Sequence, residues 1–225
     1  MRIAYALATA GRPTKGCGLL AVSKTFPADA VRNCYALGQR AFGENYVQEL
    51  VEKAAQLADL PGIEWHFIGP LQSNKTRPVA ETAHWVHSID RLKIAERLSE
   101  QRPAHLPALQ ICVQVNVSGE ASKSGCEPGE AVALAEAVAK LPRLTLRGLM
   151  CIPEPTDDTA ALSAQFAHLA EIQAALKARG IETDTLSMGM SADLDIAIAA
   201  GATIVRVGTA LFGARHYPTP AKDTK

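Results

Sequence analysis

Short apolar segments alternate with longer amphipathic segments along the whole chain. Several of the short segments are continuously apolar, which is typical of parallel strands covered on both faces. The longer segments, such as 44–58 and 158–179, have apolar residues at helical spacing. The pattern predicts eight strands, each with a helix after it or near it. The predicted strands are 17–23, 40–42, 64–68, 84–88, 110–117, 144–150, 183–187 and 203–207.

The alternation of strands with helices predicts βα units and therefore a parallel sheet. Eight such units in 225 residues favour a closed (β/α)8 barrel, a TIM barrel of the α/β class, over an open doubly wound sheet. The G-x-G-x-x-G segment that would favour the open sheet does not follow the first predicted strand. We expect a single domain over 1–217, opened by an amphipathic helix over 3–10, and a disordered tail over 218–225.

Composition and charge narrow the class of protein. The chain has 23 basic and 23 acidic residues, a balance that argues against nucleic acid or an anionic membrane as a partner. No apolar run is long enough to cross a bilayer. The five cysteines are odd in number and include no C-x-x-C pair, so we expect neither a disulfide framework nor a zinc site. These features predict a cytoplasmic protein.

Functional residues of a TIM barrel lie at the carboxyl ends of its strands. Lys24 follows the first predicted strand and shares a face with Leu20 and Val22, because side chains alternate with a period of two. One interpretation is an ordinary solvated lysine at the start of a loop. The other is a Schiff-base lysine, whose amine becomes nucleophilic where an apolar wall or a nearby cation lowers its pKa.

Arg206 interrupts the apolar eighth strand. A buried guanidinium is costly unless its hydrogen bonds are accepted, so we expect an ion pair with a carboxylate such as Glu64 or a ligand at the barrel mouth. Gly208 and Thr209 follow directly, and Ser191, after the seventh strand, is expected to cap the next helix. Barrel enzymes often bind phosphate between these two loops, so the loops indicate a phosphate site beside Arg206.

Polar residues also occur in or after the other predicted strands. Gln114 and Asn116 alternate with valines on the fifth strand and are expected to face the barrel interior. Glu64 and His66 are expected to do the same on the third strand, and Asn45 follows the second. For each of them taken alone, a hydrogen-bonded core residue is the favoured interpretation.

The histidines do not form a metal-site pattern. His66 has no second histidine or carboxylate at ligand spacing, so we expect no metal there. His84 and His87 flank the fourth predicted strand, and we interpret both as structural.

Several segments together match one family. The chain resembles the pyridoxal phosphate homeostasis proteins of the YggS/PROSC type, whose characteristic segments occur here in the same order between Ala21 and Arg215. The most specific segments are GENYVQE, WHFIG and LSMGMS, whereas the helix before Arg12 is shorter than in most of the family. The matching segments are 21–25, 43–49, 65–69, 71–75, 114–116, 148–150, 186–191 with Asp193, and 205–208.

The resemblance implies a barrel like the N-terminal domain of alanine racemase, with pyridoxal 5′-phosphate (PLP) as its cofactor. It implies that Lys24 forms the Schiff base with PLP and that Arg206 lies near the pyridine nitrogen. The other cofactor-binding residues that the resemblance implies are Ser191, Gly208 and Thr209 for the phosphate, and Asn45 and His66 for the ring pocket.

Three functions agree with these residues. The first is a PLP carrier without established catalysis, a monomer or weak dimer that stores, buffers or delivers the cofactor, with apo PLP-dependent enzymes as candidate partners. The second is a PLP-dependent amino-acid racemase, and the third is a class I aldolase in which Lys24 binds the substrate itself. We expect the carrier, because racemisation needs an acid or base on each face of Cα and no second domain follows the eighth unit. An arginine at the ring nitrogen also makes the ring a poorer electron sink.

Overall fold

The computed structural model describes residues 2–118 and 124–213 and contains the predicted barrel. Eight parallel strands close in sequence order, so that β1 pairs with both β2 and β8. The strands are β1 (Gly18–Val22), β2 (Ala41–Glu44), β3 (Glu64–Phe67), β4 (Trp85–Ile89), β5 (Leu109–Gln114), β6 (Leu144–Met150), β7 (Thr185–Ser187) and β8 (Ile204–Val207).

Helices cover the outside of the barrel. A 3-10 turn over Ser73–Lys75 precedes the fourth of them. The helices are α1 (Arg2–Thr9), α2 (Ala28–Ala36), α3 (Val47–Gln56), α4 (Thr76–Thr82), α5 (Leu92–Gln101), α6 (Pro128–Ala139), α7 (Thr159–Ala178), α8 (Leu194–Ala199) and α9 (Thr209–Phe212).

The main apolar core lies between the strands and the helices. Outward-facing strand residues such as Ala21, Ile111 and Val205 pack there with helix residues such as Leu50 and Phe166. The intervening strand residues face the barrel interior, because side chains alternate along a strand. This two-sided burial explains why the strand segments of the sequence are almost continuously apolar.

The barrel interior is mixed in polarity. Beside β1 it contains a separate apolar cluster of Leu20, Val22 and Ile68. Toward β3, β4, β7 and β8 it contains buried polar side chains, which are described below. Lys24 follows β1 by two residues, so the apolar cluster lies below this lysine.

Two strands end two or more residues away from their predicted ends. β2 continues through Glu44, which the periodicity assigns to the following helix, because Gly43 and Glu44 pair with β3. β5 ends at Gln114, before the predicted end at residue 117, and Val115 forms an isolated bridge with Cys126. Both changes occur at the carboxyl end of the barrel, where the backbone turns to form the site.

The prediction that Ser191 caps the next helix is wrong. α8 begins after Asp193, whose carboxylate accepts a hydrogen bond from the Met190 N–H and so holds the loop. The carbonyl of Ser191 instead accepts a hydrogen bond of 2.5 Å from Arg2. The hydroxyl of Ser191 is therefore not committed to helix capping.

The predicted N-terminal helix is confirmed as α1, which packs against α8. Arg2 forms an ion pair of 2.6 Å with Asp195. Arg12, just after the helix, donates hydrogen bonds to the carbonyls of Ile198 and Ala202 at 2.6 and 2.8 Å. Two arginines thus fasten this short helix to the barrel.

The predicted tail over 218–225 lies outside the described residues. In the two described ranges, no helix has both the length and the apolar character that a membrane span requires. The same part of the chain contains no group of three or more His, Cys, Asp or Glu residues that could hold a metal ion.

Candidate functional site

Lys24 lies in the loop between β1 and α2, at the carboxyl end of the barrel, and is half-buried. The next residue, Thr25, has a φ angle of 68°, which is unusual for a β-branched residue. Such a conformation persists only where the surroundings hold it in place. Here the Thr25 N–H donates a hydrogen bond of 2.8 Å to the Glu49 carboxylate.

A buried charged cluster supports this loop. Lys53 on α3 donates hydrogen bonds of 2.8 Å to Glu44, to Glu49 and to the carbonyl of Ser23. The Ser23 hydroxyl donates to the same oxygen of Glu44 at 2.6 Å. Ser23, before Lys24, is therefore bound to Lys53 and Glu44, and Thr25, after it, is bound to Glu49. We call Lys53, Glu44 and Glu49 the loop-support cluster.

The two carboxylates of the loop-support cluster differ in acidity. Glu44 is fully buried, and one of its oxygens has no hydrogen-bond partner. Burial, with a smaller contribution from nearby Glu49, raises the pKa of Glu44 to about 7 against the opposing effects of Lys53 and Ser23. Burial acts in the same direction on Glu49, but hydrogen bonds from Lys53 and Thr25 outweigh it and lower the pKa of that carboxyl. The lysine charge is thus matched mainly by Glu49.

Arg206 lies inside the barrel on β8, level with Leu20 of β1. Its Nη1 donates to the carbonyl and the hydroxyl of Ser187 at 2.5 and 2.9 Å, and its Nη2 donates to the carbonyl of Cys151 at 2.7 Å. Of the two alternatives for Arg206, the ion pair with a carboxylate such as Glu64 is not formed, since these acceptors are all neutral. The buried guanidinium is therefore satisfied by oxygen atoms but has no carboxylate bound to it within the described ranges.

The guanidinium of Arg206 retains donors for a further acceptor. Of its five N–H groups, Nε–H and one Nη2–H have no acceptor among the described residues. A pyridine nitrogen is an acceptor of this kind, and the Lys24 amine above the apolar interior provides the nucleophile for an aldehyde. The residues present therefore fit PLP by the chemistry of their donors.

The loops after β7 and β8 lie side by side. The backbone N–H of Arg206 donates to the carbonyl of Gly189 at 2.9 Å, which binds the first loop to β8. Gly189 has a φ angle of 92°, and a Cβ there would lie 2.5 Å from that of Ala197, so the turn requires glycine. Gly208 precedes α9, whose first residue Thr209 is exposed at the barrel mouth. Two of the predicted phosphate-binding residues therefore border a helix N-terminus.

Asn45 and His66 lie at different depths. Asn45 follows β2 at the mouth, is half-buried, and lines a cleft of about 440 Å3 between α3 and α4. His66 is buried within β3, where its ring stacks on Trp85 with centroids 5.3 Å apart. Its Nδ1 lies 2.9 Å from Nε2 of His87. The structure thus brings Asn45, but not His66, to the level of the strand ends.

The two histidines interpreted as structural differ from each other. Nδ1 of His84 accepts a hydrogen bond of 3.0 Å from the Trp65 N–H, which agrees with a structural role. His87 lies in the barrel interior, where its Nδ1 is 2.8 Å from the Ser187 hydroxyl. Because Ser187 also binds Arg206, His87 is connected to the candidate site.

Sequence reasoning missed the loop-support cluster and Ser187. One signal for the cluster was available, since Glu49 and Lys53 are four residues apart on a predicted helix and can therefore pair. The contact of Ser187 with Arg206 had no comparable signal, because it depends on how β7 and β8 lie beside each other.

Comparison with known proteins assigns the chain to a family. The family model described as "Alanine racemase, N-terminal domain" matches residues 2–216. A pyridoxal phosphate homeostasis protein of Pseudomonas aeruginosa is 64% identical over 98% of this chain and 94% of its own length. The chain belongs to the family of pyridoxal phosphate homeostasis proteins. The homeostasis protein of Vibrio cholerae is similarly close, with 58% identity over 92% of this chain and 89% of its own length.

A solved structure in the same family shows the same barrel. PipY of Synechococcus elongatus PCC7942, solved with PLP bound, has a TM-score of 0.82 and 40% sequence identity. The alignment covers 94% of this chain and 100% of PipY. The predicted family and the predicted TIM barrel are therefore both confirmed.

Proposed function

We propose that this pyridoxal phosphate homeostasis protein binds PLP at the carboxyl end of its barrel and acts in storing, buffering or delivering the cofactor. In this role Lys24 holds PLP as a Schiff base, and Arg206 donates to the ring nitrogen. Arg206 carries the proposal, because among the described residues its buried guanidinium has only neutral acceptors and retains N–H groups for a ligand. Bound PLP supplies an electrophilic aldehyde and an aromatic ring of limited electron demand.

The remaining cofactor-binding residues have distinct roles in the proposal. Ser191, Gly208 and Thr209 bind the phosphate through hydroxyl and backbone N–H groups, as expected between these two loops of a barrel. Asn45 lines the ring pocket at the mouth. His66 supports the ring pocket from inside the barrel, where its Nδ1 is hydrogen-bonded to His87.

A carrier is favoured over a racemase, because the interior side chains are poorly suited to act as a second acid or base. Burial raises the pKa of both Cys112 and Cys151 to about 12, so these thiols are protonated near neutral pH and are poor bases. His66 is also a weak candidate, since His87 occupies its Nδ1 and its Nε2 faces Glu64 at 3.8 Å. A second proton-transfer group opposite Lys24 therefore has no good source among these residues.

We further propose that the protein works in the cytoplasm, as a monomer or weak dimer, with apo PLP-dependent enzymes as the recipients. All five cysteines are free, which suits a reducing compartment. The equal numbers of acidic and basic residues give no reason to expect nucleic acid as a partner.

The visible absorption spectrum of the protein with PLP tests the proposed binding mode. We expect a yellow Schiff-base band and, after borohydride reduction, a covalent adduct on Lys24. Lys24→Ala should abolish the band and the adduct without unfolding the protein. Lys75→Ala, which changes an exposed lysine beside the mouth, is the matched control and should retain both. An adduct on Lys75 in the unchanged protein would overturn the assignment.

Incubation of the PLP-loaded protein with L-alanine and other L-amino acids tests the absence of racemisation. We expect no inversion at a useful rate, measured by optical rotation. Deuterium uptake at Cα without inversion would fit proton transfer by Lys24 on one face only. Turnover in the usual enzymatic range, about 1–1,000 per second, would refute the carrier.

A further inference from the structure

A line of hydrogen-bonded side chains crosses the barrel interior from β3 to β8. Nδ1 of His66 lies 2.9 Å from Nε2 of His87, and Nδ1 of His87 lies 2.8 Å from the Ser187 hydroxyl. The same hydroxyl lies 2.9 Å from Nη1 of Arg206. All four residues are buried. We call them the interior hydrogen-bond chain.

The direction of this chain follows first from Arg206. A guanidinium can only donate, so the Ser187 oxygen accepts its hydrogen bond. The single hydroxyl hydrogen of Ser187 then needs an acceptor, and Nδ1 of His87 is the one available among the described residues. Nδ1 of His87 is therefore unprotonated.

The remaining proton positions in the interior hydrogen-bond chain follow from the neutral state of the two histidine rings. Burial lowers the pKa of His87 well below its usual value, and the nearby His66 and Arg206 lower it further. Neutral His87 then carries its proton on Nε2 and donates it to Nδ1 of His66. The proton of His66 is consequently on Nε2.

At the other end of the interior hydrogen-bond chain, the surroundings of His66 favour the same direction. Nε2 of His66 lies 3.8 Å from the carboxylate of Glu64, which is too far for a hydrogen bond but close enough to favour a proton on that nitrogen. The reverse direction would turn a lone pair of His66 toward the carboxylate. It would also leave the Ser187 hydroxyl hydrogen without an acceptor among the described residues. A donor at one end and an acceptor at the other thus specify one arrangement.

We propose that His87 is a positioning residue for Arg206, which it holds through the oriented hydroxyl of Ser187. With His87 as acceptor, that hydroxyl presents a lone pair to Nη1, and the guanidinium is fixed by neutral oxygens without losing its charge. The consequence at the cofactor, an unprotonated ring nitrogen facing a fixed cation, rests on the proposed function. The direction of the chain is a property of the protein alone.

The direction can be measured without added cofactor. In protein labelled with nitrogen-15 at histidine, long-range nitrogen–proton NMR distinguishes the protonated ring nitrogen from the unprotonated one. We expect both His66 and His87 to carry their proton on Nε2. A proton on Nδ1 of His87 would overturn the proposal, because Ser187 would then receive two donors.

Two substitutions of His87 separate its two contacts. His87→Asn retains an oxygen near the position of Nδ1 and can still accept from Ser187. His87→Gln retains an amide nitrogen near Nε2 but loses that acceptor. We expect His87→Gln to weaken PLP binding about tenfold or more, the scale of one hydrogen bond to a charged group, and His87→Asn to preserve most of the affinity.

The protonation state of the ring nitrogen distinguishes positioning from a general loss of stability. With PLP labelled by nitrogen-15 in its ring, we expect the chemical shift of the nitrogen to move in His87→Gln and to remain native in His87→Asn. Equal shifts and equal affinities in the two variants would overturn the positioning role. If His87→Gln does not fold, Ser187→Ala removes the same contact with a smaller change in volume and should give the same result.

The outcome for the proposed function is separate. Failure of the unchanged protein to form the Lys24 adduct would overturn PLP binding at this lysine, while the proton positions on His66 and His87 would still be measured. An adduct in every variant, with the same affinity in His87→Gln and His87→Asn, would leave PLP binding standing and remove only the role of His87.

Discussion

The two sides of the barrel mouth hold their basic residues by opposite means. On the β1 side, the loop of Lys24 is supported by a buried cluster of one lysine and two carboxylates. On the β8 side, Arg206 is held, within 2–118 and 124–213, by carbonyl and hydroxyl oxygens only. One side neutralises its charge inside the protein, whereas the other keeps a charge that a ligand can use.

This difference assigns a structural role to the β1 side and a ligand-binding role to the β8 side. Lys53 and Glu49 form an ion pair with each other. The loop-support cluster therefore holds the strained loop at Thr25 but leaves little charge for a ligand to bind. The guanidinium of Arg206 has no bonded carboxylate in the described part of the chain. Its burial therefore costs free energy, which a bound ligand with a hydrogen-bond acceptor would offset. We therefore expect substitutions on the first side to change folding stability and those on the second side to change ligand binding.

The largest effect is expected from Lys53→Met. Removing the lysine leaves two carboxylates facing each other and removes a hydrogen bond from the Ser23 carbonyl. Loss of one partner of a buried ion pair typically lowers the free energy of unfolding by about 3–5 kcal/mol. Denaturant unfolding at neutral pH measures this change.

Lys177→Met is the matched control, because Lys177 is an exposed helical lysine. Its substitution should change the free energy of unfolding by no more than about 0.5 kcal/mol. Similar losses in the two variants would show that the loop-support cluster has no special contribution to stability.

The next effect concerns the pH dependence of Glu44. Its pKa rises from 4.5 to about 7 on folding, so the folded state favours the protonated form. This contribution to stability is fully present below pH 4.5 and is lost as the pH rises through 7. The shift corresponds to about 3 kcal/mol. Unfolding measured from acid to neutral pH should show this loss in the unchanged protein but not in Glu44→Gln.

His87 provides the opposite slope in the same titration. Burial lowers its pKa well below 6.5, so the folded state favours the neutral ring. Its contribution is present above pH 6.5 and is lost as the pH falls. The difference in unfolding free energy between the unchanged protein and His87→Gln should therefore grow with pH. If the stability differences for Glu44→Gln and His87→Gln both grew, or both shrank, as the pH rises, the contrast between the two sides would be contradicted.

The sequence was sufficient to predict the barrel and the position of Lys24 just after its first strand, but not the residues that surround them. Strands buried on both faces produce continuous apolar runs in the sequence. A lysine that directly follows such a run can therefore be recognised from the sequence alone. The partners of Arg206 come from β7 and from Cys151, the residue just after β6, which are 19 and 55 residues away, and they depend on strand register. His87 shows the same limitation, because its role follows from a residue 100 positions away rather than from its own strand.

The smallest effect is expected at the phosphate. Ser191→Ala and Thr209→Ala should each weaken PLP binding by about 1–3 kcal/mol, the scale of one hydrogen bond to a charged group, while affinity for unphosphorylated pyridoxal should hardly change. The loss should be larger for half-buried Ser191 than for exposed Thr209, because water competes less at a buried site. Thr159→Ala is the control, since Thr159 is also an exposed first residue of a helix but follows β6. Equal losses for PLP and pyridoxal would place the phosphate elsewhere and would leave Arg206 as the main recognition residue on this side of the mouth.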